Sequence, residues 1–259
     1  MAEAKRDWAK LVTWAALIFG VGGVAAALVA SLGAGQGAWH FGGAFTVLRY
    51  AFFAAIAGAV LGLIGLVLAR RARKGGLMLP NLVALVVALS FVLFLGSQVR
   101  TARSVPAIHD VATDLDDMPQ FKTLKVREDN LAKVPDMGRA ELKALGPEAR
   151  WKAIHREAYG DLRTIRVPMS VEDTIRRAEQ LARERGWEIA RADPQMGALE
   201  ATDTSFFFRF KDDVLVRARP APGGGTLVDM RSISRVGGSD VGVNAKRVRA
   251  LLADLQKQG

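Results

Sequence analysis

The chain opens with three long apolar runs and continues as a polar half in which apolar positions recur at helical and strand spacing. Runs 11–32 and 77–96 carry no charge, and run 45–69 carries only Arg49, near its start. A helix needs about 20 apolar residues to cross the hydrocarbon core of a bilayer. A soluble core helix would interleave polar positions at helical period, and these runs do not. The pattern predicts three membrane spans, with Pro80 tolerated in the first turn of the third. Gly58 and Gly62 form a small-x-x-x-small pattern that predicts close packing among the spans rather than dimerisation.

Basic residues in the short flanks set a direction. Lys5, Arg6 and Lys10 stand at or before the start of the first span, segment 33–44 has no Lys or Arg, and Arg70, Arg71, Arg73 and Lys74 fill the next connection. Cationic flanks stay cytoplasmic. The N-terminus and the basic hinge are therefore expected in the cytoplasm, and residues 97–259 on the periplasmic side of an inner membrane. Arg100 and Arg103 are a weaker counter-signal. The first run is too long for the apolar stretch of a cleaved signal peptide.

The polar half begins with a connector. Segment 104–121 has two prolines and no sustained period, which predicts extended chain. Its Asp110, Asp114, Asp116 and Asp117 lack the glycine and distal glutamate of a calcium loop, so they read as solvated turn caps. Pro147 opens a helix with Trp151, Ile154 and Ala158 on one face and Gly160 at its end. A short strand is expected at 164–167. A helix follows, capped by Ser170, with Val171, Ile175, Ala178 and Leu181 on its buried face and Gly186 as its stop. Four strands are expected at 187–192, 198–203, 213–219 and 226–234, each bounded by turn chemistry. A last helix at 244–257 buries Val248, Leu251, Leu252 and Leu255. The strands alternate apolar and charged positions, which predicts an antiparallel sheet with one solvated face. The fold class expected is α+β: three transmembrane helices (1–98), a connector (99–163), and a soluble domain of strand, helix, four strands and helix (164–259). Phe206, Phe207, Phe208 and Phe210 are read as core residues in preference to the lining of a ligand cavity.

Charge changes the picture little. The net charge is +10, with 36 basic and 26 acidic side chains, yet residues 1–96 alone hold eight basic against two acidic. The remainder is close to balanced and shows no one-signed patch, so nucleic acid is not an expected partner. There is no cysteine, which excludes disulfides and thiolate chemistry. The glycine pattern at 20–25 lies inside an apolar span with no preceding strand, so no dinucleotide site and no cofactor is expected.

The densest chemistry lies at 231–249, which holds five basic residues, three serines, an Asp, an Asn and three glycines between the last strand and the last helix. Arg231, Arg235, Ser239, Asp240, Asn244 and Arg247 are the candidate anion- or ligand-binding residues: a glycine-rich entry to a helix exposes amides, and arginine suits planar anions. The competing reading is structural, with Asp240 or Asn244 capping the helix and the arginines pairing with Asp240 or Asp229. No catalytic or metal residues are assigned. Ser232, Ser234 and Ser239 lack a nucleophile-elbow context, and His109 and His155 are the only imidazole bases of the soluble half.

Segments 108–121, 201–219 and 231–252 together resemble the bacterial domain-of-unknown-function family 1499 over about residues 105–256. The terminal motif is kept as Arg231, Ser232, Ser234, Arg235, Gly237, Asp240, Gly242, Asn244 and Arg247. The resemblance implies a membrane-anchored envelope protein and implies no activity. The expected function is a non-enzymatic envelope domain that binds an anionic lipid headgroup or polymer, or a partner protein. The alternative is a hydrolase acting on envelope lipid or glycan.

Overall fold

A computed structural model describes residues 7–257, so Lys5 and Arg6 of the sidedness argument lie outside the described residues. The chain divides into two compact units: Met1–Arg100 with Phe206–Arg209, and Thr101–Ser205 with Phe210–Gly259.

In the first unit, α1 (Trp8–Leu17), a π-helical turn (Ile18–Gly22) and α2 (Gly23–Gly35) run as one apolar rod. Helix α3 (Phe41–Arg71) follows, and a 3₁₀ turn (Gly75–Leu77) leads into α4 (Met78–Ser104). All three rods are long and apolar enough to cross a membrane. The positions buried between them are small: Ala16, Gly20, Ala55, Gly58, Gly62 and Ala84. Large apolar side chains such as Phe53, Leu63 and Val86 point outward. A Cβ on Gly58 would collide with the backbone of Gly20, which is how small residues allow apolar helices to pack without a hydrophobic drive. One polar pair adds to this, Asn81 Nδ2 donating to Thr13 Oγ1 at 2.8 Å.

The second unit is an α+β domain. Its elements are β1 (Asp110–Ala112), α5 (Ala140–Lys143), α6 (Pro147–Tyr159), β2 (Ile165–Val167), α7 (Val171–Glu184), β3 (Glu188–Asp193), β4 (Ala198–Thr204), β5 (Lys211–Pro220), β6 (Thr226–Ser234) and α8 (Val243–Gln256). The strands form one antiparallel sheet in the order β1-β6-β5-β4-β3, with β2 also paired to β6. Strand alternation puts Leu199, Ala201, Val214, Val216, Val228 and Met230 on one face. They pack against Ile175, Ala178 and Leu181 of α7 and Val248, Leu251 and Leu255 of α8. Ser170 caps α7 by accepting from the Asp173 amide at 3.0 Å, and Gly186 ends it at φ +74°.

Three features depart from the pattern reading. The connector holds a strand, β1, added to the edge of the sheet beside β6. Its outer edge is closed by two side chains one helical turn apart on α6. Trp151 Nε1 donates to the Asp110 carbonyl at 2.9 Å, and His155 Nε2 accepts from the Ala112 amide at 3.2 Å. The charged face of the sheet, expected to be solvated, is also buried. Residues 117–124 cross it, and Glu200, Asp213, Asp229 and Arg231 all lie beneath the surface. Finally, Phe206 and Phe207 are not core residues. They stand 76% and 40% exposed in the β4–β5 loop, because that loop lies beyond the last paired residues, Thr204 and Lys211.

Candidate functional site

The motif at 231–249 folds into a corner between β6 and α8. Asp240 stands just ahead of α8, and its two oxygens accept from the amides of Gly242 at 2.9 Å and Asn244 at 2.8 Å. These are the first unpaired donors of the helix. Burial pushes the Asp240 carboxyl above its ordinary value, against the pull of those amides. Asn244 turns inward: Oδ1 accepts from Ser232 Oγ at 2.8 Å and from Arg247, and Nδ2 donates to the His109 carbonyl at 2.9 Å and Ser234 Oγ at 3.1 Å. The Ser239 hydroxyl accepts from the Val241 amide at 3.2 Å.

The arginines of the motif part company. Arg247 reaches Asp203 at 2.7 Å and Asp212 at 2.8 Å. Arg235 forks onto Asp213 at 2.9 and 2.8 Å, which raises its already high pKa. Arg231 emerges on the opposite face of the sheet and forks onto Asp110 at 3.0 and 2.7 Å. The corner thus brings Asp240, Asn244 and Arg247 together and leaves Arg231 and Arg235 elsewhere. Each guanidinium meets a carboxylate of its own domain. Arg217 and Arg219 are engaged likewise, both reaching buried Asp229, at 3.0 and 2.7 Å. An arginine so engaged fixes geometry more than it offers a free fork to a ligand.

The covering segment is pinned from below. Glu200, buried in β4, accepts from the amides of Lys122, Thr123 and Leu124 at 2.7–3.1 Å. Asp114 closes the turn before it, accepting from the amides of Asp116 and Asp117 at 3.0 and 2.8 Å, which holds its carboxyl below the usual range. Of the four aspartates expected as solvated turn caps, only Asp114 caps a turn. Asp116 pairs with Arg156, and Asp117 with Arg217 and Arg219. Asp110 is buried in β1 against Arg231, because β6 recruits that stretch as a strand.

Polar groups of the connector converge on an open space beside β1. A cavity of about 220 Å³ lies where the chain enters β1. Its lining includes His109, Asp110, Arg127, Asn130, Lys133 and Trp151, with Gly237 and Gly238 at one side. A polar chain forms its floor. Arg231 holds Asp110, Asn130 Nδ2 donates to Asp110 Oδ2 at 2.7 Å, and Asn130 Oδ1 faces His109 Nε2 at 3.0 Å. Since the amide nitrogen of Asn130 is committed to Asp110, its oxygen is the acceptor toward His109, and Nε2 carries the proton. Arg127 forks onto Asp129 at 2.6 and 2.8 Å and donates to the Gly237 carbonyl at 2.6 Å. The Arg127 fork holds the Asp129 carboxyl down at about 2. With Asp110 neutralised by Arg231 and Asp129 by Arg127, Lys133 leaves the lining with one cation in excess. Pattern reasoning missed Arg127 and Asn130 because segment 125–135 has no period.

His155 is the other buried imidazole. Burial lowers its pKa to about 4, so it is neutral. Nε2 accepts from the Ala112 amide, so Nδ1 holds the proton, and it has no partner. Burial likewise pushes the adjacent Tyr159 hydroxyl to about 12. Among the described residues no histidine is hydrogen-bonded to a serine, and Ser232 and Ser234 are absorbed by Asn244 and Arg247.

A family model described as "Protein of unknown function (DUF1499)" matches residues 110–255. The match spans β1 to the end of α8, and so takes in the connector as well as the sheet. Neither a curated protein nor a solved structure matches the chain.

Proposed function

We propose, from the premise that the chain belongs to the DUF1499 family, that it is a non-enzymatic, membrane-anchored envelope protein. Its three apolar helices hold it in the inner membrane with the basic hinge Arg70–Lys74 in the cytoplasm, so that the domain from Thr101 onward is periplasmic. The domain binds an anionic envelope component, a lipid headgroup or a charged polymer. A partner protein carrying an acidic group would satisfy the same chemistry. The observation that carries this reading is the cavity of about 220 Å³ beside β1, where Lys133 stands as the cation in excess and His109 and Asn130 line the open space, with Arg127 neutralising Asp129 at its edge. Arg231, Asp240, Asn244 and Arg247 take the role of frame. They fix β1, β6 and α8, and Arg231 orients the Asp110–Asn130–His109 chain of the floor.

Two measurements test the reading. A reporter that fluoresces only in the reducing cytosol, fused after Gly259, stays dark if the domain is exported. Calorimetric titration of the full chain in lipid nanodiscs with glycerol 3-phosphate then probes the cavity. Binding is expected for the native chain and for Arg235→Ala, and is expected to fall at least tenfold, or about 1.4 kcal/mol, for Lys133→Ala and Arg127→Ala. A native chain that takes up no glycerol 3-phosphate, or a Lys133→Ala chain that binds it unchanged, would overturn the assignment of the cavity.

A further inference from the structure

The β4–β5 loop carries two exposed phenylalanines that neither the core nor the cavity uses. Phe206 is 76% and Phe207 is 40% exposed, and their rings meet edge to face with centroids 5.1 Å apart. The loop is not slack. The Ser205 amide donates to the Phe210 carbonyl at 2.8 Å, and the Phe210 amide returns a bond to Ser205 Oγ at 2.8 Å. The turn is therefore closed at its neck and displays the two rings at its tip. Exposed Arg209 and Lys211 follow directly.

Register tells which end of the sheet this tip occupies. Thr204 pairs with Lys211, Asp212 with Ser234, and Ile233 with Asp110, the first residue of β1. The tip thus projects from the end of the sheet at which β1 begins. Helix α4 ends at Ser104, six residues before Asp110. Six residues span at most about 20 Å when fully extended. The end of the sheet that shows the phenylalanines is thus the end tethered, by a short link, to a helix apolar enough to cross a membrane. A pair of aromatic rings followed by two cations is the chemistry of a membrane interface: rings enter the headgroup–acyl boundary and cations remain among anionic headgroups.

We propose that the Phe206–Phe207 tip is a lipid-binding element that inserts into the interface of an anionic bilayer and holds the cavity-bearing domain at the membrane surface. This goes beyond the ligand cavity and does not depend on it: an empty cavity leaves the tip in the bilayer, and a solvated tip leaves the cavity as it is.

The chain has no cysteine, so a single introduced thiol gives one clean label. The full chain is reconstituted in phosphatidylethanolamine–phosphatidylglycerol vesicles with an environment-sensitive fluorophore on Phe206→Cys. A second preparation carries it on Met196→Cys, at an exposed residue (66%) in the turn before β4, at the opposite end of the sheet. The Phe206 label is expected to emit to the blue, to be quenched by nitroxide-bearing lipids, and to be several-fold less accessible to aqueous iodide than the Met196 label. Equal iodide access at both sites would overturn the proposal. Protection from iodide without quenching by the nitroxide lipids would overturn it too, since a protein surface, a second copy or another chain, would then cover the tip.

Discussion

Arg231 and Asp110, 121 residues apart, meet as a two-pronged ion pair with side chains only 2% and 1% exposed. The pair joins β1 to β6 across the covered face of the sheet, and the Pro119 carbonyl takes the remaining nitrogen of the fork at 3.2 Å. Removing one partner of such a pair strands a buried charge at a cost of about 3–5 kcal/mol. Arg231→Met and Asp110→Leu are each expected to lose stability on that scale. The double substitution is expected to recover much of the loss, because no lone charge remains. Denaturant midpoints of the full chain in detergent, followed by near-ultraviolet circular dichroism, check this. Single losses below about 1 kcal/mol would show that the pair is solvated.

That pair also marks where the sequence stopped being readable. The three spans, the capped helix α7, strands β3 to β6 and helix α8 were legible because each is written in local periodicity and turn chemistry. Strand β1 was not. Three residues in a proline-flanked acidic stretch carry no period, and what makes Asp110–Ala112 a strand is β6, more than a hundred residues away. The arginines of the terminal motif were legible as a cluster, but their carboxylates were not. Asp110, Asp203, Asp212 and Asp213 lie on other strands, and register alone brings them near. The charged strand face read as solvated because alternation reports polarity and is silent about a segment that lies over it. For the same reason Arg127 and Asn130 came to light only through the cavity they line.

The imidazole of His155 gives the domain an acid-sensitive edge. Its ordinary pKa of 6.5 falls to about 4 in the fold, chiefly through burial. The unfolded chain therefore binds the proton more readily. Stability is full above pH 6.5 and drains away as pH falls toward 4, by roughly 3 kcal/mol if no other group intervenes. Asp240 works in the opposite sense, since its raised carboxyl favours the fold as it takes up a proton. His155→Phe is expected to flatten the slope between pH 6.5 and 4. It should also cost about 1–3 kcal/mol at neutral pH, because the Ala112 amide loses its acceptor. Thermal midpoints across that range, native against variant, decide it. An unchanged slope would mean that another group titrates there.

Glu200 should govern how tightly the covering segment sits. Its carboxylate is the shared acceptor for three consecutive amides, and a hydrogen bond to a charged group is worth about 1.5–3 kcal/mol. Glu200→Gln keeps the size, loses the charge and turns an N–H pair toward N–H donors. Amide exchange at Lys122, Thr123 and Leu124 is expected to accelerate about ten- to a hundredfold, while the α7 amides are unaffected. Uniform acceleration across the domain would instead point to global destabilisation.

Two neighbouring residues ahead of α8 should respond to substitution with opposite signs. Val241 and Gly242 both adopt left-handed backbone, at φ +56° and +77°. They do so because Asp240 wraps around them to reach the Gly242 and Asn244 amides. A β-branched residue is a true outlier there, and an L-residue held left-handed loses about 1–2 kcal/mol. Asparagine tolerates that region better than any other residue bearing a side chain of this size. Val241→Asn is therefore expected to stabilise the domain by about 1 kcal/mol. Gly242→Ala is expected to destabilise it by about 1–2 kcal/mol, since the new Cβ meets the left-handed penalty and would stand 3.2 Å from Val105 Cγ1. Thermal midpoints of the two variants, measured on the full chain in the same detergent, should move in opposite directions. If both fall, the Val241 side chain contributes packing that outweighs its backbone strain, and the corner is held by contacts rather than by the Asp240 cap.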